Sequence, residues 1–217
     1  MENQLIGHGV YGLAEASKYI RVNYNVLRQW FRATKSSPVF TSDYSSAGVG
    51  ATISFLDLMD ALVVGEFRKH EVSLQHIRKV YTHLFNELGP HPFSRQELLV
   101  DKSTRRILSK IDMTLFDTLT KQAQIQKVID GHLHSIEYGE LSRLAQRWYI
   151  RPGVVLDPQV SFGKPVVRGT GITTFTIAQA FTANEQDAEF VGRMYDIAPS
   201  SVHAAVEFED SVRRKVA

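Results

Sequence analysis

The stretch Leu13–Arg32, LAEASKYIRVNYNVLRQWFR, constrains the fold of this chain more than any other. Apolar and small residues fall at Leu13, Ala16, Ser17 and Ile20, and again at Val26, Leu27, Trp30 and Phe31. Each set has helical spacing, and Arg21-Val22-Asn23 between them is long enough only for a turn. Two short helices joined so tightly bury a common face only by crossing steeply, as in a helix-turn-helix. Ala16 is small where the second helix crosses close over the first, and Asn23 is placed to cap that second helix. The outward positions then hold Asn25, Arg28, Gln29 and Arg32, side chains that reach phosphates and base edges. A helical hairpin in a core with a solvated polar face is the plain alternative.

Charge sharpens the choice. The whole chain has 217 residues and a net charge of only +2, a weak global hint of nucleic acid. Between Glu15 and Lys35, however, Lys18, Arg21, Arg28, Arg32 and Lys35 face a single acid, Glu15. A polyanion is drawn to this end first, because neutralising phosphates releases counterions. Trp30 and Phe31 interrupt the basic face at core spacing and are read as packing residues.

Beyond the hairpin, Ser36-Ser37-Pro38 breaks the helix, and Val39-Phe40-Thr41 and Thr52-Ile53-Ser54 are β-prone around a polar loop, SDYSSAGVGA. Two short strands flanking such a loop form either a wing or an ordinary surface hairpin. Ser54-x-x-Asp57 reads as a capping box opening a helix with Leu56, Met59, Leu62, Val63 and Phe67 inside. Ser73 caps another helix, which Gly89-Pro90 stops.

In these elements and their order the chain resembles the MerR-like winged helix-turn-helix domains. The matching stretches are YGLAEASKYI, NVLRQW and ISFLDLMDALVVGEFRKHEVSLQHIRKVYTHL, over roughly Tyr11–Leu88. The resemblance implies a second helix in the major groove, with Arg28, Gln29 and Arg32 at the DNA and Asn25 and Lys35 beside them. The inter-helix turn of that family usually carries Gly where this chain has Arg21.

The middle segment is expected to hold a small hairpin, Glu97–Val100 with Arg106–Leu108, and a helix over Gln122–Ile129. A further amphipathic helix is expected through Leu141, Leu144, Ala145 and Trp148. His132 and His134 lack a carboxylate pair or cysteine nearby, so no metal site is expected.

In Leu156–Thr174 the glycines at 163, 169 and 171 with Lys164 suggest a phosphate loop, but Pro165 removes the backbone N–H and disfavours helix at the lysine. These glycines are read as serving tight turns before a helix near Thr174. Helices follow over Thr174–Thr182, Gln186–Tyr195 and Pro199 to about Val212, with Asn184 at a helix end, where it can adopt the left-handed conformation. The last two form a second helix-turn-helix pattern. From Phe175 to Val212 seven acids face Arg193 alone, which repels phosphate and points to a protein partner.

Leu156-Asp157-Pro158, Phe162–Ile172 and Tyr195-Asp196-Ile197 with Val202, Ala205 and Glu207-Phe208 resemble the VapB-type antitoxin domain catalogued as domain of unknown function 433. Its members often carry Arg at the position of Gly171 and Gly at that of Asn184. The resemblance implies an antitoxin that neutralises a PIN-type ribonuclease toxin and represses its own operon. Arg168 and the tail Arg213-Arg214-Lys215 are the candidates for the toxin contact, since a basic group competes with metal ions and RNA phosphate in a carboxylate-lined nuclease centre.

The expected fold is mainly α, with an N-terminal winged helix-turn-helix, short β-hairpins and a C-terminal three-helix, helix-turn-helix-like domain. The expected division is 1–90, a connecting α+β segment 91–153, and 154–217. The expected partners are double-stranded operator DNA, the toxin and a second copy in a homodimer. Without paired acids, a nucleophile motif or cysteine, neither an enzyme nor a cofactor is expected. Without a signal peptide or an apolar run of membrane length, the chain is expected in the cytoplasm. The alternative is a MerR-like, ligand-responsive transcriptional regulator without a toxin.

Overall fold

The computed structural model describes residues 8–32, 38–44, 52–69, 71–96 and 135–214. Lys35, Lys215, the hairpin over 97–108, the helix over 122–129, His132 and His134 lie outside them. The chain divides into two compact units, one Tyr11–Gln146 and the other Met1–Val10 with Arg147–Ala217. The described residues form seven α-helices and short strands, so the fold is mainly α.

In the unit Tyr11–Gln146, a two-residue strand β1 (Tyr11–Gly12) leads into α1 (Leu13–Tyr19) and then α2 (Tyr24–Phe31). Leu13, Ala16, Leu27 and Trp30 are buried between them, which is the common apolar face of the sequence pattern. Strand β2 (Thr52–Ile53) pairs antiparallel with β1, Tyr11 opposite Ile53 and Gly12 opposite Thr52. The expected pairing of 39–41 with 52–54 is therefore corrected. Val39 and Phe40 form no strand; both amides donate to the Trp30 carbonyl, at 2.8 and 3.0 Å, and fold the segment back on the end of α2. Tertiary hydrogen bonds override the local β-preference of Val39-Phe40-Thr41.

Two longer helices complete this unit, α3 (Phe55–Lys69) and α4 (Leu74–Leu88). The capping box is present in full: Asp57 N–H donates to Ser54 Oγ at 3.1 Å and Ser54 N–H to Asp57 Oδ2 at 3.0 Å. Ser73 Oγ accepts from His76 N–H, and Gly89 at φ 86° closes α4. The aromatic rings of Phe31, Phe40, Tyr81, Phe93 and Phe67 follow one another at centroid spacings of 5.0–5.7 Å. They connect α2 to α4, to the short 3-10 turn Pro92–Ser94 and to α3. A three-residue strand, β3 (Ile136–Tyr138), lies near the end of the unit.

In the other unit, β4 (Ala145–Arg151) from Arg147 on, β5 (Val154–Leu156) and β6 (Pro165–Val167) form an antiparallel meander. The amphipathic helix expected through Leu141–Trp148 is thus corrected to a turn and a strand. Leu141 is fully exposed, while Ala145 and Trp148 are buried. The register between Trp148 and Arg151 is irregular, and such a bulge breaks period-two alternation. Pro152-Gly153, with Gly153 at φ 79°, closes the two-residue hairpin.

Helices α5 (Thr174–Ala183), α6 (Ala188–Tyr195) and α7 (Pro199–Arg213) follow at the expected places. Thr173 and Asp187 cap the first two with their side chains, and Pro199 opens the third. Val167, Ile177, Ala188, Val191, Val202 and Ala205 are their shared core. Asn184 is not left-handed, at φ −114°; the helix ends instead through Glu185 (φ 55°) and Gln186 (φ 63°), while the Asn184 amide donates to Ala180 O at 2.7 Å.

Four helices stop in one geometry without glycine. Arg21, Glu71, Glu185 and Asp196 are left-handed, and the following N–H reaches five residues back, as in Val22 to Ser17 O and Ile197 to Gly192 O. Each left-handed residue of this kind costs about 1–2 kcal/mol, so packing must hold these turns. At the α6–α7 turn it does so closely. A Cβ on Gly192 would lie 2.8 Å from Ile197 O and 3.5 Å from Pro199 N. In an open helix Gly→Ala stabilises by about 1 kcal/mol; here Gly192→Ala is expected to destabilise by about 1–3 kcal/mol through overpacking. Urea unfolding followed by circular dichroism reads the sign.

Candidate nucleic-acid and partner interfaces

Helix α2 buries Leu27 and Trp30 and leaves Asn25, Arg28, Gln29 and Arg32 exposed. The four described members of the expected DNA-facing set therefore stand together on one solvent-facing side. Lys18 and Arg21 are exposed as well. Val26, expected inside, is 39% exposed, whereas Phe31 packs on Phe40 at 5.1 Å. Asn23 Oδ1 accepts from Asn25 N–H at 2.9 Å, which fixes the first turn of this helix.

The same unit holds a knot of charge that sequence reasoning missed. The Asp57 carboxylate, besides its part in the capping box, accepts from Asp43 N–H and Ser42 Oγ, each at 3.1 Å. One turn further along α3, buried Asp60 accepts from Ser94 Oγ at 2.8 Å and from Tyr81 Oη at 3.4 Å. His91, left-handed at φ 54° just past the end of α4, is inserted between carboxylates. Its Nδ1 lies 3.3 Å from Asp60 Oδ2 and its Nε2 3.1 Å from Asp43 Oδ1. Both ring nitrogens face acceptors, so the imidazolium is the form that satisfies both.

The electrostatics agree with that assignment. Burial alone pushes the His91 imidazole down, but hydrogen bonds and charge from Asp43 and Asp60 outweigh it and raise its pKa to about 10. Burial, reinforced by Asp43, pushes the Asp57 carboxyl up to about 6. Burial raises Asp60 as well. Asp43, Asp57 and His91 also bring one possible metal-ligand atom each within 4.8 Å of one another. Their mutual hydrogen bonds account for the cluster as a structural tie. No signal in a single histidine beside proline announces it from sequence.

In the unit that contains Arg147–Ala217, Arg168 leaves β6 and lies over the Tyr149 ring, its guanidinium carbon 5.0 Å from the centroid. Arg168 N–H donates to Gly153 O, and Gly169 at φ 80° turns the chain, so the glycines here serve backbone turns as expected. A recess of about 320 Å³ is lined by Arg147, Tyr149, Asp157, Arg168, Thr170 and three valines. Arg147 Nε donates to Asp157 Oδ2 at 2.5 Å. Arg147 and Tyr149 were missed because their strand reads as a helix. Arg213 and Arg214, at the end of α7, are exposed. The exposed acids Glu185, Asp187, Glu189, Asp196, Glu207 and Asp210 also lie in this unit; Glu209 accepts from the Thr174 hydroxyl.

Residues 154–208 match the family model described as "Protein of unknown function (DUF433)". The match covers β5, β6, α5, α6 and most of α7. The chain is also 25% identical over 224 residues to a Mycobacterium tuberculosis protein named "Putative antitoxin VapB45", covering 91% of this chain and 92% of that one. The crystal structure of Rv2018 from Mycobacterium tuberculosis has the same fold, with a TM-score of 0.69 and 24% identity, over 90% of this chain and 96% of that one. No helix among the described residues is long and apolar enough to cross a membrane.

The His91 tie has a pH signature. Its folded pKa, about 10, exceeds the ordinary 6.5, so the folded state binds more protons between those values. Its contribution to stability is complete below pH 6.5 and is lost as pH rises through 10. His91→Gln is expected to cost roughly 3–5 kcal/mol at neutral pH, as for a broken buried ion pair. Urea unfolding of both proteins at pH 7 and pH 10 should show the difference narrowing at the higher pH.

Proposed function

We propose that this chain is a DNA-binding antitoxin of a type II toxin–antitoxin pair, which neutralises a PIN-type ribonuclease and represses its own operon. The observation that carries the reading is similarity along nearly the whole of both chains to a protein named as an antitoxin, with the DUF433 match at its C-terminal end. The exposed side of α2 supports the DNA-binding half. In this proposal α1 and α2 act as a winged helix-turn-helix, α2 enters the major groove, and Asn25, Arg28, Gln29, Arg32 and Lys35 contact the operator. A homodimer reads two half-sites. Arg168, Arg213, Arg214 and Lys215 contact the nuclease, and the chain itself performs no catalysis.

One observation favours a second reading, a ligand-responsive MerR-like regulator. The recess beneath Arg168 has a volume in the range of small-molecule sites. Release of operator DNA by a small ligand, with no nuclease bound, would select it.

The decisive experiment is co-expression with the small nuclease encoded beside this chain's gene, followed by co-purification, RNA-cleavage assays and operator binding. Relief of toxicity with co-purification is expected; normal operator binding with no effect on the nuclease overturns the antitoxin reading. For the DNA contacts, Arg28→Ala and Arg32→Ala are each expected to weaken operator binding by about 10-fold, near the lower end for a base-reading arginine. Fluorescence anisotropy across a salt series checks this, with a shallower salt dependence where phosphate contacts are lost.

A further inference from the structure

Helix α6 exposes apolar side chains on a surface whose charge rules out most occupants. Phe190 is 42% exposed and Met194 51%, and their i,i+4 spacing places them side by side on one face. Exposed acids surround them along the chain: Glu185, Asp187 and Glu189 at the start of the helix and Asp196 at its end, against Arg193 alone. Burying two large side chains favours a partner, because apolar area removed from water stabilises by roughly 25 cal/mol per Å². Nucleic acid is not that partner, since the acids repel phosphate. A second copy of this face is the poorer fit, because it brings further acids of the same sign and, apart from Arg193, no basic surface to meet them. A protein with an apolar groove rimmed by lysine and arginine fits better.

We propose that α6 docks through Phe190 and Met194 into the basic substrate groove of the nuclease, with the acids of the helix occupying the sites of RNA phosphates. This rests on the antitoxin reading and adds the surface used and the mode of inhibition. A ribonuclease must present positive charge along its RNA path, and α6 offers the complementary sign. The apolar pair supplies affinity that bare phosphate lacks. Inhibition is therefore competitive with RNA. The contacts proposed for Arg168, Arg213 and Arg214 lie outside this helix, and the α6 surface adds to them.

The test uses the full chain, the nuclease encoded beside its gene and a single-stranded RNA substrate, with calorimetry for binding and cleavage rates for inhibition. The double variant Phe190→Ser/Met194→Ser is expected to weaken nuclease binding by at least about 30-fold, the loss typical of truncating a central anchor. Glu185→Lys/Glu189→Lys is expected to weaken it by about 10-fold at low salt and less at high salt. Both should keep the parental unfolding midpoint and operator affinity. Excess RNA should relieve inhibition by the parent chain.

Parental binding and inhibition by a folded Phe190→Ser/Met194→Ser variant overturns the α6 contact while leaving the antitoxin reading intact. If that variant loses its parental midpoint, the charge-reversed pair decides, and an unchanged salt dependence overturns the contact. Inhibition indifferent to RNA concentration overturns occupation of the RNA path. A parent chain that leaves the nuclease unbound overturns both readings together.

Discussion

The carboxylate of Asp57 is the point on which the unit Tyr11–Gln146 depends. It closes the N-terminus of α3 through the capping box, and the same oxygen holds Ser42 and Asp43 in place. Being buried, it tolerates its charge only because donors surround it. The neighbouring Asp60 extends the arrangement to Tyr81 and Ser94, and the His91 imidazolium supplies the positive charge that two buried carboxylates require. Tyr81 also stands in the aromatic series that runs through Phe40 to Phe31. The exposed side of α2 is thus tied by contiguous contacts to a charged knot in the interior. Rigid support of this kind is what a surface must have to meet a ligand in one geometry.

What was legible in the sequence follows from range. Asn23, Ser54 with Asp57, Ser73 and Pro199 act within one helical turn, so residue type and spacing suffice to place them. The outward set on α2 was legible for the same reason, because an amphipathic helix writes its exposed face into its own periodicity. The pairing of Tyr11–Gly12 with Thr52–Ile53 was not, since two-residue strands carry no pattern of their own. Nor was the His91 tie, whose partners come from Asp43 and α3. In Leu141–Arg151 an irregular register let apolar residues mimic helical spacing, and with that strand went the stacking of Arg168 on Tyr149. Asn184 ends its helix as its position suggested, but the left-handed residue comes next, at Glu185, because such stops here fall on charged residues.

That preference unites both units. Arg21 between α1 and α2 and Asp196 between α6 and α7 hold the same left-handed conformation, and a backbone bond five residues back follows each. The two helix pairs are local copies of one turn solution on surfaces of opposite sign. The backbone arrangement is therefore indifferent to the partner; the exposed side chains set the sign of charge and the apolar area that a partner meets. Glycine at these stops would relax the conformation but would also enlarge the unfolded ensemble.

The chain contains two tryptophans, Trp30 and Trp148, and both are buried. Each belongs to a different unit, one on α2 and one on β4. Among the described residues the Trp30 indole nitrogen has no hydrogen-bond partner in its buried position, and such a fluorophore shifts its emission when water first reaches it. Each unit thus carries its own optical reporter. Replacing one indole at a time by phenylalanine separates the two signals, and shows whether the halves of the molecule melt together or in turn.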